Sequence, residues 1–386
     1  MPHARRSGRH ARSGKPVRHV GATATRSGRR LSAATAVVVL TAAAVHGQFG
    51  SDPSMIVDHA LVVHHPMADP TPTPNPMADG ELPPRPIIGP DFSTVKNLGD
   101  GTKLAAWRVI NNVKVFNLKV SQIDWQVSPG VTRKAMAING GVPAPTIRVN
   151  QGERVRFIVQ NDLPEATSIH WHGMDLPNPM DGVPGITQKE IAPGTTFTYE
   201  YTAISAGTHW YHSHMHGTQE GSGVYGAFEV VPLADDIASD RDYTLIFADG
   251  PLGFVINGKS FPGTTRMPAR VGDRVRIRVV GAGPDLIHSI HLHSGFFQVV
   301  AQDGHRLPAP YEADTVVLGV GQTYDLIFVP TRVGAWMIHC HIFQHSESKR
   351  GMMGMVTFFD VYPANEAVAP AVPGTGDVTR EREPAQ

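Results

Sequence analysis

An internal repeat with a period of about 120 residues occupies the middle of this 386-residue chain. The segment GERVRF at 152–157 returns as GDRVRI at 272–277, and SIHWH at 168–172 returns as SIHLH at 289–293. In the same order, GTHWYHSH at 207–214 aligns with GAWMIHCH at 334–341. Three matching segments predict a duplicated domain, and this duplication constrains the fold before any single motif is interpreted.

The repeated region consists of short β-branched runs with alternating polarity, separated by Gly, Pro and Asn. This pattern is typical of strands, and no long amphipathic helix is evident. We therefore predict an all-β protein with one domain at 95–235 and a second at 236–363. Each has the size of one β-sandwich.

The flanking segments have a different composition. Residues 1–48 carry many arginines, no acidic residue and a short apolar run at 33–45, which predicts an export signal rather than a membrane span. The pair Arg29-Arg30 resembles a twin-arginine signal, which exports folded proteins to the cell envelope or beyond it; an ordinary secretory signal is the alternative. Residues 49–94 are predicted to be a Pro-rich linker, whose His and Met residues could also collect copper, and residues 364–386 a disordered tail.

The net charge of the chain indicates no particular class of partner. Lys and Arg number 34, and so do Asp and Glu. A balanced charge gives no support to a nucleic-acid partner or a membrane-surface partner.

Histidine is concentrated in the repeated segments. Twelve of the 20 histidines lie at 170–172, 209–216, 288–293 and 339–345. Burying so many imidazoles is costly unless each finds a partner, so the crowding indicates metal binding. Residues i and i+2 of a strand face the same side, so each His-x-His pair projects two imidazoles together. The four pairs supply eight candidate ligands: His170, His172, His212, His214, His291, His293, His339 and His341.

The single cysteine narrows the choice of metal. Imidazoles alone suit zinc, nickel or copper. Cys340 with His288 and His345 supplies the His₂Cys set of a blue-copper site, for which Met352 is available as a weak axial ligand. The alternative for Cys340 is a small buried core thiol.

The repeat also indicates which domain carries this site. The first-domain counterparts of His288, Cys340 and His345 are Thr167, Ser213 and Thr218, and none of these is a soft ligand. Only the second domain can therefore hold a blue copper. The adjacency of His339, Cys340 and His341 joins that site covalently to the histidine pairs.

In combination, these motifs resemble those of the multicopper oxidases, and within them the two-domain, small-laccase type. The resemblance covers residues of about 95–360 and is carried by HWHG at 170–173, WYHSH at 210–214, HSIHLH at 288–293 and HCHIFQH at 339–345. It implies two cupredoxin-like Greek-key β-sandwich domains in tandem.

Position within these motifs implies a role for each ligand. His170 and His291 resemble the ligands of a type 2 copper, and the remaining six of the eight resemble those of a type 3 pair. His288, Cys340, His345 and Met352 resemble a type 1 set. The resemblance thus implies four coppers per chain: one type 1, one type 2 and two type 3.

Two positions depart from the family or allow a second interpretation. The family places the axial Met ten residues after Cys, whereas Met352 comes twelve residues after Cys340, so Met353 or a three-ligand site are alternatives. Asp181 matches an acidic residue that relays protons to oxygen bound at the type 2 and type 3 coppers, but an Asp-Gly turn explains it equally well.

The resemblance implies a laccase-like oxidoreductase. Phenols, other small reductants or metal ions would lose single electrons through an exposed edge of His288 or His345, and dioxygen would be reduced to water by four electrons that pass along Cys340. In two-domain relatives the histidines of the two domains meet between neighbouring chains. A homotrimer is therefore implied, and a closed head-to-tail ring fits such an interface.

Two other functions remain open. A copper nitrite reductase is also a two-domain trimer, but it should keep its blue copper in the first domain. A non-enzymatic copper-binding cupredoxin of the cell envelope is the second alternative, although it would not need two His-x-His pairs per domain. The natural substrate is not evident from the sequence.

Overall fold

The computed structural model of the chain describes residues 103–367, apart from residues 235 and 294 and the side chain of His216. The predicted export signal, the linker and the tail beyond residue 367 lie outside the described residues. Within this part of the chain, strands dominate and helices are confined to single turns. No helix among the described residues has the length and apolar character needed to cross a membrane.

The strands of the first domain form two sheets. One has the order β1-β2-β5-β7 with β3 paired to β2, and the other has the order β4-β9-β8-β6. The strands are β1 (Trp107–Ile110), β2 (Val113–Ser128), β3 (Val131–Ile138), β4 (Ile147–Asn150), β5 (Arg154–Asn161), β6 (His170–His172), β7 (Thr196–Thr202), β8 (Gly207–His212) and β9 (Tyr225–Val231). A 3₁₀ turn spans Asn178–Met180 and a π-helical turn spans His216–Glu220.

The second domain repeats this plan. Its two main sheets have the orders β11-β10-β13-β18-β15-β16 and β12-β22-β19-β14-β17. The strands are β10 (Arg241–Ala248), β11 (Val255–Ile256), β12 (Met267–Arg270), β13 (Val275–Gly281), β14 (His288–Leu292), β15 (Phe297–Gln302), β16 (His305–Ala313), β17 (Thr315–Leu318), β18 (Thr323–Phe328), β19 (Gly334–Cys340), β20 (Glu347–Ser348), β21 (Gly351–Met352) and β22 (Val356–Tyr362). Helix α1 (Phe343–Ser346) follows β19.

Each domain buries its core between its two sheets. Along β5 the inward residues Val155, Phe157 and Val159 are buried, and Phe157 stacks on Trp171 of the opposite sheet at 4.1 Å. The parallel pair β2 and β5 has its counterpart in β10 and β13, and the pair β4 and β9 in β12 and β22. The prediction of two tandem β-sandwiches is confirmed.

The repeat extends to the strand register that places the histidine pairs. His170 lies opposite His212 across β6 and β8, and His291 lies opposite His339 across β14 and β19. Because side chains at directly opposite positions share a face of the sheet, this register gathers the imidazoles of two His-x-His pairs on one face of each domain.

The two domains are joined by a mixed apolar and charged interface. Trp210 and Tyr225 of the first domain share a buried cluster with Ile246 and Val280 of the second. Beside this cluster, the buried Arg278 side chain bonds Asp242 within its own domain and donates to Thr208 Oγ1 of the first domain at 2.6 Å. Burial of a guanidinium is tolerated here because its donors are paired.

Candidate metal centres

Three soft donors converge in the second domain. His288 begins β14, Cys340 ends β19 and His345 lies in α1. Nδ1 of His288 lies 3.3 Å from Nδ1 of His345, which in turn lies 3.4 Å from Cys340 Sγ. Two nitrogens that bind one ion at about 2.0–2.1 Å in tetrahedral or trigonal geometry are about 3.3–3.6 Å apart, so the spacing fits a shared metal ion.

The surroundings of these donors favour metal binding over protonation. His288 is 1% exposed, and burial, with His345 nearby, lowers the pKa of its ring to about 4. Burial raises the pKa of the Cys340 thiol, so the thiolate needs a cation to stabilise it. A neutral imidazole and a thiolate are the forms that bind copper.

Neither His288 nor His345 has the exposed edge that the family resemblance implied, and residues of one loop lie against both buried rings. His345 is 5% exposed and stacks beneath Phe254 at 4.1 Å between ring centroids. His288 has its Nε2 atom 3.9 Å from Oδ1 of the buried Asp249, whose pKa burial raises to about 6. Both covering residues belong to the loop 249–254 between β10 and β11, which the sequence did not indicate.

The candidate axial methionine lies on a short hairpin. Met352 belongs to β21, which pairs with β20 and sets Met352 opposite Glu347. The buried Met355 is joined to the same site by its backbone, because its carbonyl accepts a hydrogen bond from Cys340 N at 3.0 Å.

Four histidines of the second domain form one cluster. His291 has ring-centroid distances of 4.9 Å to His293, 5.7 Å to His339 and 5.4 Å to His341. Nε2 of His293 lies 3.3 Å from Nε2 of His339, again the spacing of two ligands on one ion. His291 Nδ1 donates to Asp314 O and His339 Nδ1 to Cys340 O, both at 2.9 Å, which leaves their Nε2 atoms for a metal.

The first domain holds the matching cluster. His170 has ring-centroid distances of 5.6 Å to His172, 5.4 Å to His212 and 5.5 Å to His214. The pKa of His172 is lowered to about 4, by burial and then by the neighbouring rings of His212 and His170. His170 Nδ1 donates to Asp181 O at 2.7 Å and His212 Nδ1 to Ser213 O at 3.0 Å.

Among the described residues of one chain, the histidine clusters of the two domains do not share a group of closely spaced donor atoms. One group is His170, His172 and His212, another is His291, His293 and His339, and neither takes a residue from the other domain. His293 and His341 are exposed in the single chain. The second-domain cluster therefore faces outward with half of its rings uncovered.

Asp181 lies beside the first cluster. Its carbonyl orients His170, and its Oδ1 lies 3.5 Å from the same Nδ1 atom. Gly182, with φ of +89°, follows it so closely packed that a Cβ would lie 1.9 Å from Ile169 O. The segment is thus both a turn that only glycine permits and a carboxylate placed next to a candidate ligand.

Two functional candidates were missed by sequence reasoning, namely Gln219 and Glu220. Glu220 is buried, and its Oε2 lies 3.0 Å from His212 Nδ1. Gln219 is also buried, and its Oε1 accepts hydrogen bonds from Thr167 at 2.6 Å and Ser213 at 2.8 Å. The one available signal was a Gln-Glu pair five residues beyond the His-Ser-His motif, in a segment with no periodicity.

Comparison with known proteins agrees with this architecture. Two multicopper oxidase family models match residues 119–235 and 235–360. A blue copper oxidase from Nitrosomonas europaea is 32% identical with a TM-score of 0.61 over 70% of this chain and 95% of its own. The multicopper oxidase mgLAC is 31% identical with a TM-score of 0.60 over 64% of this chain and 86% of its own.

Longer proteins match as well. Copper resistance protein A of Pseudomonas syringae pv. tomato is 29% identical over 282 residues, which are 56% of this chain and 46% of that protein. Laccase-3 of Botryotinia fuckeliana is 30% identical over 274 residues, which are 62% of this chain and 60% of that protein. The chain thus spans about half the length of these curated relatives.

Proposed function

The chain belongs to the multicopper oxidase family, and we propose that it is a laccase-like enzyme that couples one-electron oxidation of a small reductant to reduction of dioxygen to water. The observation that carries the proposal is the convergence of His288, Cys340 and His345. Cys340 is the chain neighbour of His339 and His341, which belong to the second-domain histidine cluster. A site for single-electron uptake is thereby joined to a site with enough ligands for several metal ions.

Each ligand set has a proposed role. His288, Cys340 and His345, with Met352 as axial ligand, would hold a type 1 copper; His170 and His291 a type 2 copper; and the other six histidines a type 3 pair. Bound copper would supply the one-electron steps and the four-electron reduction of oxygen. The protein keeps the imidazoles neutral by burial and orients several of them through Nδ1 hydrogen bonds.

The loop 249–254 controls how a reductant reaches His288 and His345. Because Phe254 and Asp249 cover the two rings, a substrate approaches the copper ligands across these side chains rather than by direct contact. Aromatic reductants such as phenols can stack on an apolar cover of this kind. We propose phenols as the first class to test.

We propose that the second-domain cluster is completed by the first-domain cluster of a neighbouring chain in a homotrimer. Its exposed rings, His293 and His341, support this assembly, as do the exposed apolar side chains of Phe296 and Phe343 close to them in sequence. A head-to-tail contact of two different surfaces closes into a ring when the rotation allows it. Asp181, beside His170, would then carry protons into the shared centre.

The N-terminal 48 residues are proposed to export the folded protein to the cell envelope or beyond it. Their long arginine-rich region and short apolar run support this destination. Export in the folded state would suit a chain whose single cysteine must remain available for copper.

The test is to count copper and record optical and spin-resonance spectra on the purified protein, with its mass in solution. Four coppers per chain, a blue absorption band, a trimer mass and oxygen consumption on a phenol are the expected results. One or two coppers per chain, or turnover of nitrite without oxygen consumption, would refute the proposal. A monomer that holds four coppers would refute the shared centre alone.

A further inference from the structure

The first domain contains a pocket at the place where the second domain has its blue-copper donors. We call Thr167, Ser213 and Gln219 the amide pocket. Thr167 and Ser213 are the repeat counterparts of His288 and Cys340, and both direct their hydroxyl hydrogens to Gln219 Oε1. A side-chain amide oxygen therefore lies between the counterparts of two residues that would share a metal ion in the other domain.

Gln219 of the amide pocket anchors the π-helical turn His216–Glu220 to neighbouring segments. Gln219 Nε2 donates to Ala166 O at 2.7 Å and to Glu165 Oε1 at 3.0 Å, so both ends of this buried amide are paired. The backbone of Gln219 adds a bond to Met215 O at 2.9 Å and accepts one from Val224 N at 3.0 Å. Because every polar atom of Gln219 is hydrogen-bonded, the position of the backbone of the following residue, Glu220, is fixed as well.

That next residue is Glu220, and it is directed at a candidate copper ligand. The carboxylate is 2% exposed and the His212 side chain 3% exposed, with 3.0 Å between Oε2 and Nδ1. His212 Nδ1 also lies 3.0 Å from Ser213 O. Both acceptors require the proton on Nδ1, so the ring presents Nε2 as its metal-binding atom.

The second domain lacks this arrangement at the equivalent place. His339 Nδ1 bonds Cys340 O, as His212 bonds Ser213 O. The repeat counterpart of Glu220 is Glu347, which is exposed and lies on β20. The carboxylate support is thus specific to the first-domain cluster.

We propose that Glu220 is a positioning residue for the first-domain histidine cluster, held in place by the amide pocket that replaces a blue-copper site. It fixes the tautomer and the ring orientation of His212, so the first-domain half of the trinuclear centre is formed before copper and the neighbouring chain bind. This inference rests on the proposed oxidase function. Carboxylate partners of metal-bound histidines typically change metal affinity by roughly 10- to 100-fold.

The experiment compares Glu220→Ala and Glu220→Gln with the matched variants Glu347→Ala and Glu347→Gln in the full-length protein. Each protein is loaded with copper and dialysed against a graded series of a copper chelator, and the type 1, type 2 and type 3 signals are followed separately. We expect Glu220→Ala to lose type 2 and type 3 copper at roughly 10- to 100-fold lower chelator concentration, with its blue band unchanged. Glu220→Gln should recover part of the loss, because its amide oxygen can still accept the Nδ1 proton.

The outcomes separate this inference from the proposed function. If wild-type protein binds four coppers while Glu220→Ala releases them as Glu347→Ala does, the positioning role is wrong and the oxidase remains. If wild-type protein lacks the type 2 and type 3 signals, the oxidase itself is wrong. Should Glu220→Ala fail to fold, Glu220→Gln decides: release indistinguishable from Glu347→Gln overturns the inference, and earlier release of the type 2 and type 3 coppers alone upholds it.

Discussion

The second domain presents His288, Cys340 and His345 to one point, and the first domain presents Thr167, Ser213 and Gln219 to the equivalent point. Both triads are buried, and in each the third member lies on the short helical turn that follows the strand pair, His345 in α1 and Gln219 in the π-helical turn. Two imidazoles and a thiol suit copper, whereas two hydroxyls and an amide satisfy one another without a metal. Thr167 and Ser213 are the repeat counterparts of His288 and Cys340, and Gln219 directly follows Thr218, the counterpart of His345. The first domain thus has a hydrogen-bond network where the second has a candidate copper site.

The His-x-His clusters, by contrast, are similar in the two domains. His170 opposite His212 and His291 opposite His339 keep the same register, and the Nδ1 bonds to backbone carbonyls recur in both domains. Among the described residues, two carboxylates of the first domain break that parallel: Glu220 lies beside His212 and Asp181 beside His170. The two domains therefore differ most at the candidate type 1 donors and least at the histidine pairs, which the proposed shared centre would take from both domains.

Cys340→Ser should have the largest effect, because it gives the second domain the same hydroxyl that Ser213 supplies in the first. We expect the blue band to vanish and oxidation of phenols to fall to background, since no thiolate remains to bind type 1 copper. Optical spectra and oxygen uptake measure both effects. The type 2 signal should persist as an internal control, and a blue band in this variant would show that Cys340 is not the ligand.

Gln219→Ala removes the centre of the amide pocket. The hydroxyls of Thr167 and Ser213 lose their shared acceptor inside the core, so the free energy of unfolding should fall by about 3–4 kcal/mol. Chemical denaturation of the copper-free protein measures the change. The matched control is Gln344→Ala, an exposed glutamine of the second domain, which should change stability by less than about 0.5 kcal/mol. Equal effects would contradict a structural role for the pocket.

The two triads should also differ in their response to pH, because only the second contains titratable rings. His288 has a pKa of about 4 when folded and about 6.5 when unfolded, so the unfolded chain binds the extra proton between these values. Stability of the copper-free protein should therefore fall as the pH decreases from about 6.5 to 4, by at most about 3 kcal/mol from this ring.

Asp249 acts in the opposite direction within part of that range. Its folded pKa of about 6 exceeds the usual value, so its contribution to stability decreases as the pH rises from about 4 to 6. The contribution of His288 is therefore read from the difference between wild-type protein and His288→Gln in thermal unfolding at a series of pH values. Thr167→Val, at the counterpart position, should leave the slope unchanged, and identical slopes in wild type and His288→Gln would contradict the prediction.

Ser213→Cys should have the smallest effect, and it tests directly whether a thiol at this position is enough to form a blue-copper site. A thiol alone should not create a second blue site, because Thr167 and Gln219 offer oxygen atoms where copper requires imidazoles. In a Cys340→Ser background the spectrum should contain no thiolate-to-copper band, and stability should fall by about 1 kcal/mol as the bond to Gln219 weakens. A blue band in the double variant would mean that the backbone position, not the triad, defines the site.

Much of this candidate site was predictable, since most of its histidines lie on strands or within two residues of a strand end. The period of two along β6, β8, β14 and β19 places paired histidines on one face, and the internal repeat aligns those faces between domains. His345 lies in the single-turn helix α1 and Met352 in the two-residue strand β21, which are too short for a sequence period to predict, so only motif spacing was available for them. The displaced Met352 stays a prediction for that reason.

Sequence alone determined the duplication, the all-β plan, the donor types and the asymmetry between Cys340 and Ser213, because these depend on local periodicity and on comparing one half of the chain with the other. Tertiary structure decided that the loop 249–254 covers His288 and His345, that Gln219 fills the counterpart site and that Glu220 reaches His212. These contacts are made by loops and turns, which have no sequence periodicity from which their conformation could be predicted. Their residues meet only when the sheets pack together.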